Sequence, residues 1–189
     1  MNIVLIDNYD SFTHNLAQYL MEQEGVKLSI VENDSYQLAD LQEFDKIVIS
    51  PGPGVPSTSG LIIETIRYFS GDKPILGICL GLQAIYEAFG GRLFNLPLVQ
   101  HGVTSSVTIL DIADPVFHGI HSPFKAGRYH SWVCDPASLP DCLLITALDQ
   151  AQAIMACRHK THPTYGVQFH PESILTPEGK RMIKNFTEI

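Results

Sequence analysis

The run Gly77-Ile78-Cys79-Leu80-Gly81 holds a cysteine between an apolar β-like stretch, "PILGIC", and an amphipathic, helix-like one, "LGLQAIYEAFG". It has the Gly-x-nucleophile-x-Gly pattern of a nucleophile elbow, with cysteine where hydrolases carry serine. Glycines flanking a sharp strand-to-helix turn let neighbouring backbone approach closely. The turn also places the thiol at a helix N-terminus, where free N–H groups and the helix dipole stabilise negative charge. The pentapeptide alone fits an inert buried cysteine equally well. Cys134, Cys142 and Cys157 lack CxxC or other metal-type spacing and read as small buried hydrophobes.

A nucleophilic thiol needs a base, and the base needs a group to orient it. Of the eight histidines, His118/His121 and His159/His162 form HxxH pairs without an evident third ligand, and both pairs read as solvated loop residues. His14 lies on a helix and His130 follows a strand, neither beside an obvious acid. His170 is different, because "GVQFHPES" climbs an apolar strand and ends in His170-Pro171-Glu172. Proline drives the preceding residue into extended geometry, so side chains two apart point to one side. Glu172 is then placed to hold one ring nitrogen while the other faces the thiol. The third element is "SPGPGVP", a stiff loop in which Gly52 carries an N–H that the prolines beside it lack. That N–H and the one of Leu80 are candidates for an oxyanion hole.

The elements that must position these groups alternate along the first half of the chain. "NIVLID" (Asn2–Asp7), "KLSIV", "KIVIS" (Lys46–Ser50) and "PILGIC" are strand-like, while "SFTHNLAQYLMEQEG" and "LIIETIRYFSG" carry helical spacing and end at glycines. Apolar strands joined by helices predict a parallel sheet covered on both faces, with ligands beyond the carboxyl ends of the strands. After Gly91 the segments are short and alternating: "VTSSVTIL", "FKAGRYHSWV", "LLITALD", "AIMACRH" and "YGVQFH". They predict an antiparallel extension of the same sheet, closed by the helix "TPEGKRMIKNF". No linker, repeat or low-complexity tract divides the chain, so one domain over residues 1–189 is expected.

Composition narrows the function classes. The 189 residues are 45% hydrophobic and 17% charged, which is globular, and the net charge is −8 with no Lys/Arg run. This argues against nucleic acid or an anionic membrane surface as partner. No apolar run reaches the roughly 18 residues of a membrane span. The start "MNIVLIDNYD" reads as a first strand rather than a signal peptide, so a cytoplasmic protein is expected.

Taken together, "ISPGPGVP", "GICLGLQAI" and "GVQFHPES" resemble, in order and separation, the three signatures of the triad-type (class I) glutamine amidotransferases. "LIDNYDSFTHNLAQYL" and "RYHS" are similar to the small subunits, component II, of anthranilate synthase and aminodeoxychorismate (p-aminobenzoate) synthase. The resemblance implies the α/β class I amidotransferase fold, a central, mostly parallel sheet with helices on both faces and an antiparallel extension. It implies Cys79 as nucleophile, His170 as base and acid, and Glu172 as orienter, with the oxyanion between the N–H groups of Gly52 and Leu80. Gly52, Pro53, Gly54, Gln83, Ser131 and Trp132 fall on positions that bind L-glutamine in the family. The partner implied is a large chorismate-binding synthase subunit, in a heterodimer or higher assembly. No metal or other cofactor is implied on this chain, any Mg2+ requirement belonging to the partner.

Two departures stand out: Leu82 replaces the histidine common after the elbow glycine, and Val103 the lysine usual after "HG". Both bear on helix contacts or docking rather than on the triad. The competing reading is a stand-alone cysteine hydrolase of γ-glutamyl or related bonds on the same scaffold, against which the retained glutamine-binding positions and "RYHS" argue.

Overall fold

A computed structural model describes residues 1–189, the side chains at positions 98 and 99 excepted. The first strand, β1 (Asn2–Asp7), shows how the sheet is covered. Four consecutive buried residues alternate between its faces. Ile3 and Leu5 pack with Leu16 and Leu20 of α1 (Thr13–Met21) and with Phe186 of α4 (Gly179–Glu188). Val4 and Ile6 pack on the opposite side, with Ile62, Ile66 and Phe69 of α2 (Ile62–Phe69) and Ile85 and Tyr86 of α3 (Leu80–Ala88). Burial of both faces is why β1, β3 (Lys46–Ile49) and β4 (Ile75–Ile78) read as unbroken apolar runs.

The remaining strands are β2 (Lys27–Glu32), β5 (Leu93–Ile109), β6 (Phe124–Cys134), β7 (Leu143–Asp149), β8 (Ile154–His159) and β9 (Thr164–Val167). They form one nine-stranded sheet in the order β2-β1-β3-β4-β9-β8-β7-β5-β6. Strands β2 to β9 along that order are parallel, and from β9 outward the pairs are antiparallel.

This bears out the mixed sheet and corrects two of its details. "YGVQFH" belongs to the parallel half as much as to the extension, because β9 lies between β4 and β8, parallel to the first. The first strand after Gly91 is also long, 17 residues, and begins well before "VTSSVTIL". Pro97 and Gly102 lie at register shifts between Asn95 and Gln100 and between His101 and Val103. Gly102 sits at φ +67°, a conformation glycine adopts without penalty and a bulge commonly requires.

The C-terminal helix is pinned to the parallel half. The Lys46 ammonium, at the start of β3, donates to the carbonyls of Phe186 and Thr187 at 2.9 and 3.0 Å, where helix α4 presents its unpaired acceptors.

Candidate functional site

Cys79 stands between β4 and α3 in a conformation few residues other than glycine adopt, φ 54° and ψ −98°. Its N–H is held by the Val167 carbonyl at 2.7 Å, and its own carbonyl accepts from Gln83 N–H at 3.1 Å. Two close approaches fix the elbow. A Cβ on Gly77 would lie 2.4 Å from the backbone of Gly81, and one on Gly81 would lie 2.8 Å from the Ile49 carbonyl oxygen. The strand and helix therefore meet at a distance only glycines allow. The thiol emerges 5% exposed, at the wall of a pocket of about 130 Å3.

The pocket brings together most of the residues singled out from the sequence. Gly52, Pro53, Gly54, Cys79, Gln83, Ser131 and Trp132 line it, joined by Tyr129 and His130. Leu80 turns its side chain into the core, 1% exposed, so only its backbone can serve the site. As the first residue of α3, Leu80 has an N–H without an intrahelical acceptor. Gly52 is pressed against it: a Cβ there would fall 2.8 Å from Leu80 Cδ2 and 2.4 Å from Asn8 Cβ.

Asn8 and Ser50 hold that loop from below. Asn8 N–H donates to Ser50 Oγ at 2.9 Å and Asn8 Nδ2 to the Ser50 carbonyl at 2.8 Å, while Ser50 Oγ donates to the Pro51 carbonyl at 2.7 Å. Asn8 falls in Asp7–Ser11, a polar segment at the carboxyl end of a strand where the sequence places ligands, whereas Ser50, at the end of the adjacent parallel strand, is not among the site residues read from the sequence.

His170 and Glu172 lie behind the pocket, each 2% exposed. Glu172 Oε1 accepts from His170 Nδ1 at 2.7 Å. The pair forms differently from the sequence expectation. Ser173 N–H donates to the His170 carbonyl at 3.2 Å, so His170–Ser173 is a tight turn with Pro171 at its second position. The turn folds the carboxylate back onto the ring, where an extended chain would only have set the two side by side. The backbone of His170 is clamped as well: its N–H donates to Gly127, and its carbonyl accepts from Thr176 Oγ1 at 2.7 Å.

Phe12 and Tyr129 pack on the imidazole with ring centroids 5.4 and 4.9 Å away. Among the described residues, His170 Nε2 and Glu172 Oε2 are buried without a hydrogen-bond partner. Burial works against a charged His170, but attraction to Cys79 and to the Glu172 carboxylate outweighs it and raises the pKa to about 10. A buried imidazole with one nitrogen anchored and the other free beside a thiol is suited to move a proton.

His130, with no evident acid beside it in sequence, is held by a base and a carbonyl. Its Nδ1 donates to the Trp132 carbonyl at 3.0 Å, and its Nε2 accepts from Arg128 Nε at 3.1 Å. Burial and the Arg128 charge lower its pKa to about 3, so it stays neutral. Arg128 is paired in turn with buried Asp149 at 2.5 Å. Gln168, likewise not singled out, is fully buried and donates from Nε2 to Cys79 Sγ at 3.4 Å.

The remaining candidates lie elsewhere. His118 and His121 are exposed, as expected. His159 is not: it is 6% exposed at the end of β8, where its Nδ1 accepts the N–H groups of Thr161 and His162 and its ring stacks on His162 at 3.9 Å. Closing a turn, rather than facing water, explains that pair. Cys134 and Cys157 are buried and Cys142 partly so. Leu82 is buried against β9, where a Cβ on Gly166 would meet its Cδ1 at 2.6 Å, so this departure concerns internal packing. Val103 is 39% exposed on β5 and paired with Arg128, in reach of a partner.

The pattern of the family described as Glutamine amidotransferase class-I matches residues 4–189. Aminodeoxychorismate synthase component 2 of Escherichia coli is 46% identical over 186 residues, 97% of this chain and 98% of that protein. Aminodeoxychorismate/anthranilate synthase component 2 of Bacillus subtilis is 45% identical over 188 residues, 98% of this chain and 95% of that one. The bifunctional protein TrpGD of Thermotoga maritima is 47% identical over 190 residues, but this chain spans only 32% of its length. Among solved structures, a GMP synthase-type protein of Thermoplasma acidophilum superposes with a TM-score of 0.89 at 29% identity, over 100% of this chain and 92% of that one. A match that begins at the fourth residue and runs to the last takes in the elbow, the loop and the His–Glu turn alike: the chain belongs to the class I glutamine amidotransferases.

Proposed function

We propose that this chain is the glutaminase subunit of a chorismate-aminating synthase, releasing ammonia from L-glutamine for a large partner subunit that binds chorismate. The observation that carries the reading is the placing of Cys79 at the wall of a small polar pocket, with the buried His170–Glu172 pair behind it. The names of the component 2 relatives, matched over nearly their whole length, support the partner and its substrate. They also favour this reading over a stand-alone hydrolase.

Glutamine enters with its side-chain amide toward Cys79, between the 52–54 loop and the Ser131–Trp132 wall. The sulfur attacks the amide carbon, and the N–H groups of Gly52 and Leu80 receive the oxyanion. His170, held by Glu172, gives a proton to the departing nitrogen, leaving a γ-glutamyl thioester and ammonia. It then takes a proton from water, which attacks the thioester and frees glutamate and the thiol. Ammonia would be protonated in bulk water and lose its nucleophilicity, so a docked partner must receive it directly. The assembly is at least a heterodimer. No cofactor takes part on this chain, and any Mg2+ requirement belongs to the partner.

The test is glutamate release from glutamine by this chain alone and with each chorismate-using large subunit of the same organism. Strong stimulation by one assigns ortho or para amination, and stimulation by both means a shared subunit. Stimulation by neither, with or without chorismate, contradicts the reading. Within the stimulated complex, Cys79→Ser is expected to abolish glutamine-dependent synthesis and leave ammonia-dependent synthesis intact. Loss of both would place the defect in folding or docking.

A further inference from the structure

Gln168 touches the attacking atom and has no part in the steps above. It is 0% exposed, lies between β9 and His170, and has its Nε2 3.4 Å from Cys79 Sγ. The direction of this contact is set two residues away. The Trp132 carbonyl can only accept, and Gln83 Nε2 lies 2.8 Å from it, which turns the NH2 of Gln83 toward Trp132. The same NH2 lies 3.2 Å from Gln168 Oε1. The oxygen of Gln168 is thereby engaged, and its own NH2 is left facing the sulfur.

The Trp132 carbonyl is itself held from the other side. His130 donates to it at 3.0 Å, in the tautomer that Arg128, a donor only, demands by bonding to Nε2 at 3.1 Å. A backbone oxygen on the pocket wall thus dictates the polarity of two buried amides in succession.

We propose that Gln168 is a catalytic residue of the glutaminase, donating an Nε2–H hydrogen bond to the Cys79 sulfur and stabilising negative charge there before it attacks the amide carbon. The proposal rests on Cys79 being the attacking group.

The experiment is alkylation of Cys79 by iodoacetamide, followed by peptide mass spectrometry across pH, in the unaltered chain and in Gln168→Met. Methionine keeps the length of the side chain and lacks the donor. The alkylation rate at neutral pH should fall about tenfold, in line with a hydrogen bond to a charged group, and the gap should close at alkaline pH. A merely structural role would lower the melting temperature without a gap that closes with pH. Equal rates at neutral pH in a folded Gln168→Met variant overturn the donor role while leaving the triad standing. Should that variant not fold, unaltered protein labelled with 15N-glutamine gives the answer. The Gln168 side-chain amide protons should shift when Cys79 is alkylated, and resonances that do not move overturn the proposal. If Cys79 of the unaltered chain is no more reactive than Cys142, the triad itself falls, and Gln168 with it.

Discussion

His170 and Glu172 show how little separates an orienting group from a proton carrier at the residue scale. The carboxylate touches one ring nitrogen, at 2.7 Å, and no hydrogen bond joins it to the thiol. Glu172→Ala should therefore lower kcat less than His170→Ala, with both leaving near-UV circular dichroism intact. An equal or larger loss in Glu172→Ala would contradict the ranking. The raised pKa of His170, about 10, also predicts a pH dependence of stability. An unfolded chain releases that proton near pH 6.5, so the folded state binds it more tightly. The contribution is complete below about pH 6.5 and is lost as pH rises toward 10. Melting temperatures of the unaltered chain and of His170→Gln should converge over that interval. Parallel curves would show that the folded state holds the proton no more tightly.

At the scale of elements, the site depends on how closely a strand and a helix approach. Gly77→Ala puts a methyl group 2.4 Å from the Gly81 backbone, which cannot yield without moving α3 off β4. A loss of about 1–3 kcal/mol in urea unfolding is expected, the range typical of overpacking with backbone shifts. A loss under about 0.5 kcal/mol, the scale of an ordinary surface substitution, would mean that the elbow relaxes easily.

The elbow is legible in the sequence because its constraint is local: glycine, nucleophile and glycine are neighbours in the chain. The His–Glu pair is legible for the same reason, although its turn geometry is not. Proline before a carboxylate fits an extended segment as well as the second position of a turn, and the bond from Ser173 to His170 decides between them. The Asn8–Ser50 support, the Arg128–Asp149 pair and the Gln168 contact join residues 21 to 89 positions apart. Their existence depends on strand order, which periodicity does not supply. The insertion of β9 into the parallel half escapes a reading of the sequence for that reason. The length of β5 escapes it because a bulged ribbon tolerates proline and glycine that ordinarily punctuate strands.

For the whole molecule, the rim of the pocket is the place where a partner would be felt. Tyr9, 56% exposed, follows the Asn8 that supports Gly52. Val103 pairs with the residue before Tyr129, and Ile174, 93% exposed, follows the Ser173 whose hydroxyl meets Tyr129. These exposed apolar side chains come from three separate segments, each next to a residue that lines or supports the pocket. Ile174→Asp should raise the concentration of large partner needed for half-maximal stimulation of glutaminase activity by about tenfold or more, the scale of a well-packed interface residue. Alkylation of Cys79 in the isolated chain should be unchanged. Undiminished stimulation would place the docking face elsewhere.

The position of β9 has a consequence for the making of the protein. The nucleophile follows β4 and the base follows β9, adjacent strands in the sheet that are made far apart in time. While the chain emerges from the ribosome, the first four strands can assemble, and β4 is left as an apolar open edge. Only when residues 164–167 arrive is that edge closed, and the same event delivers His170 to Cys79. A nascent or truncated chain ending before β9 is therefore expected to be inert toward glutamine and prone to self-association. Closing the sheet is also what brings nucleophile and base together.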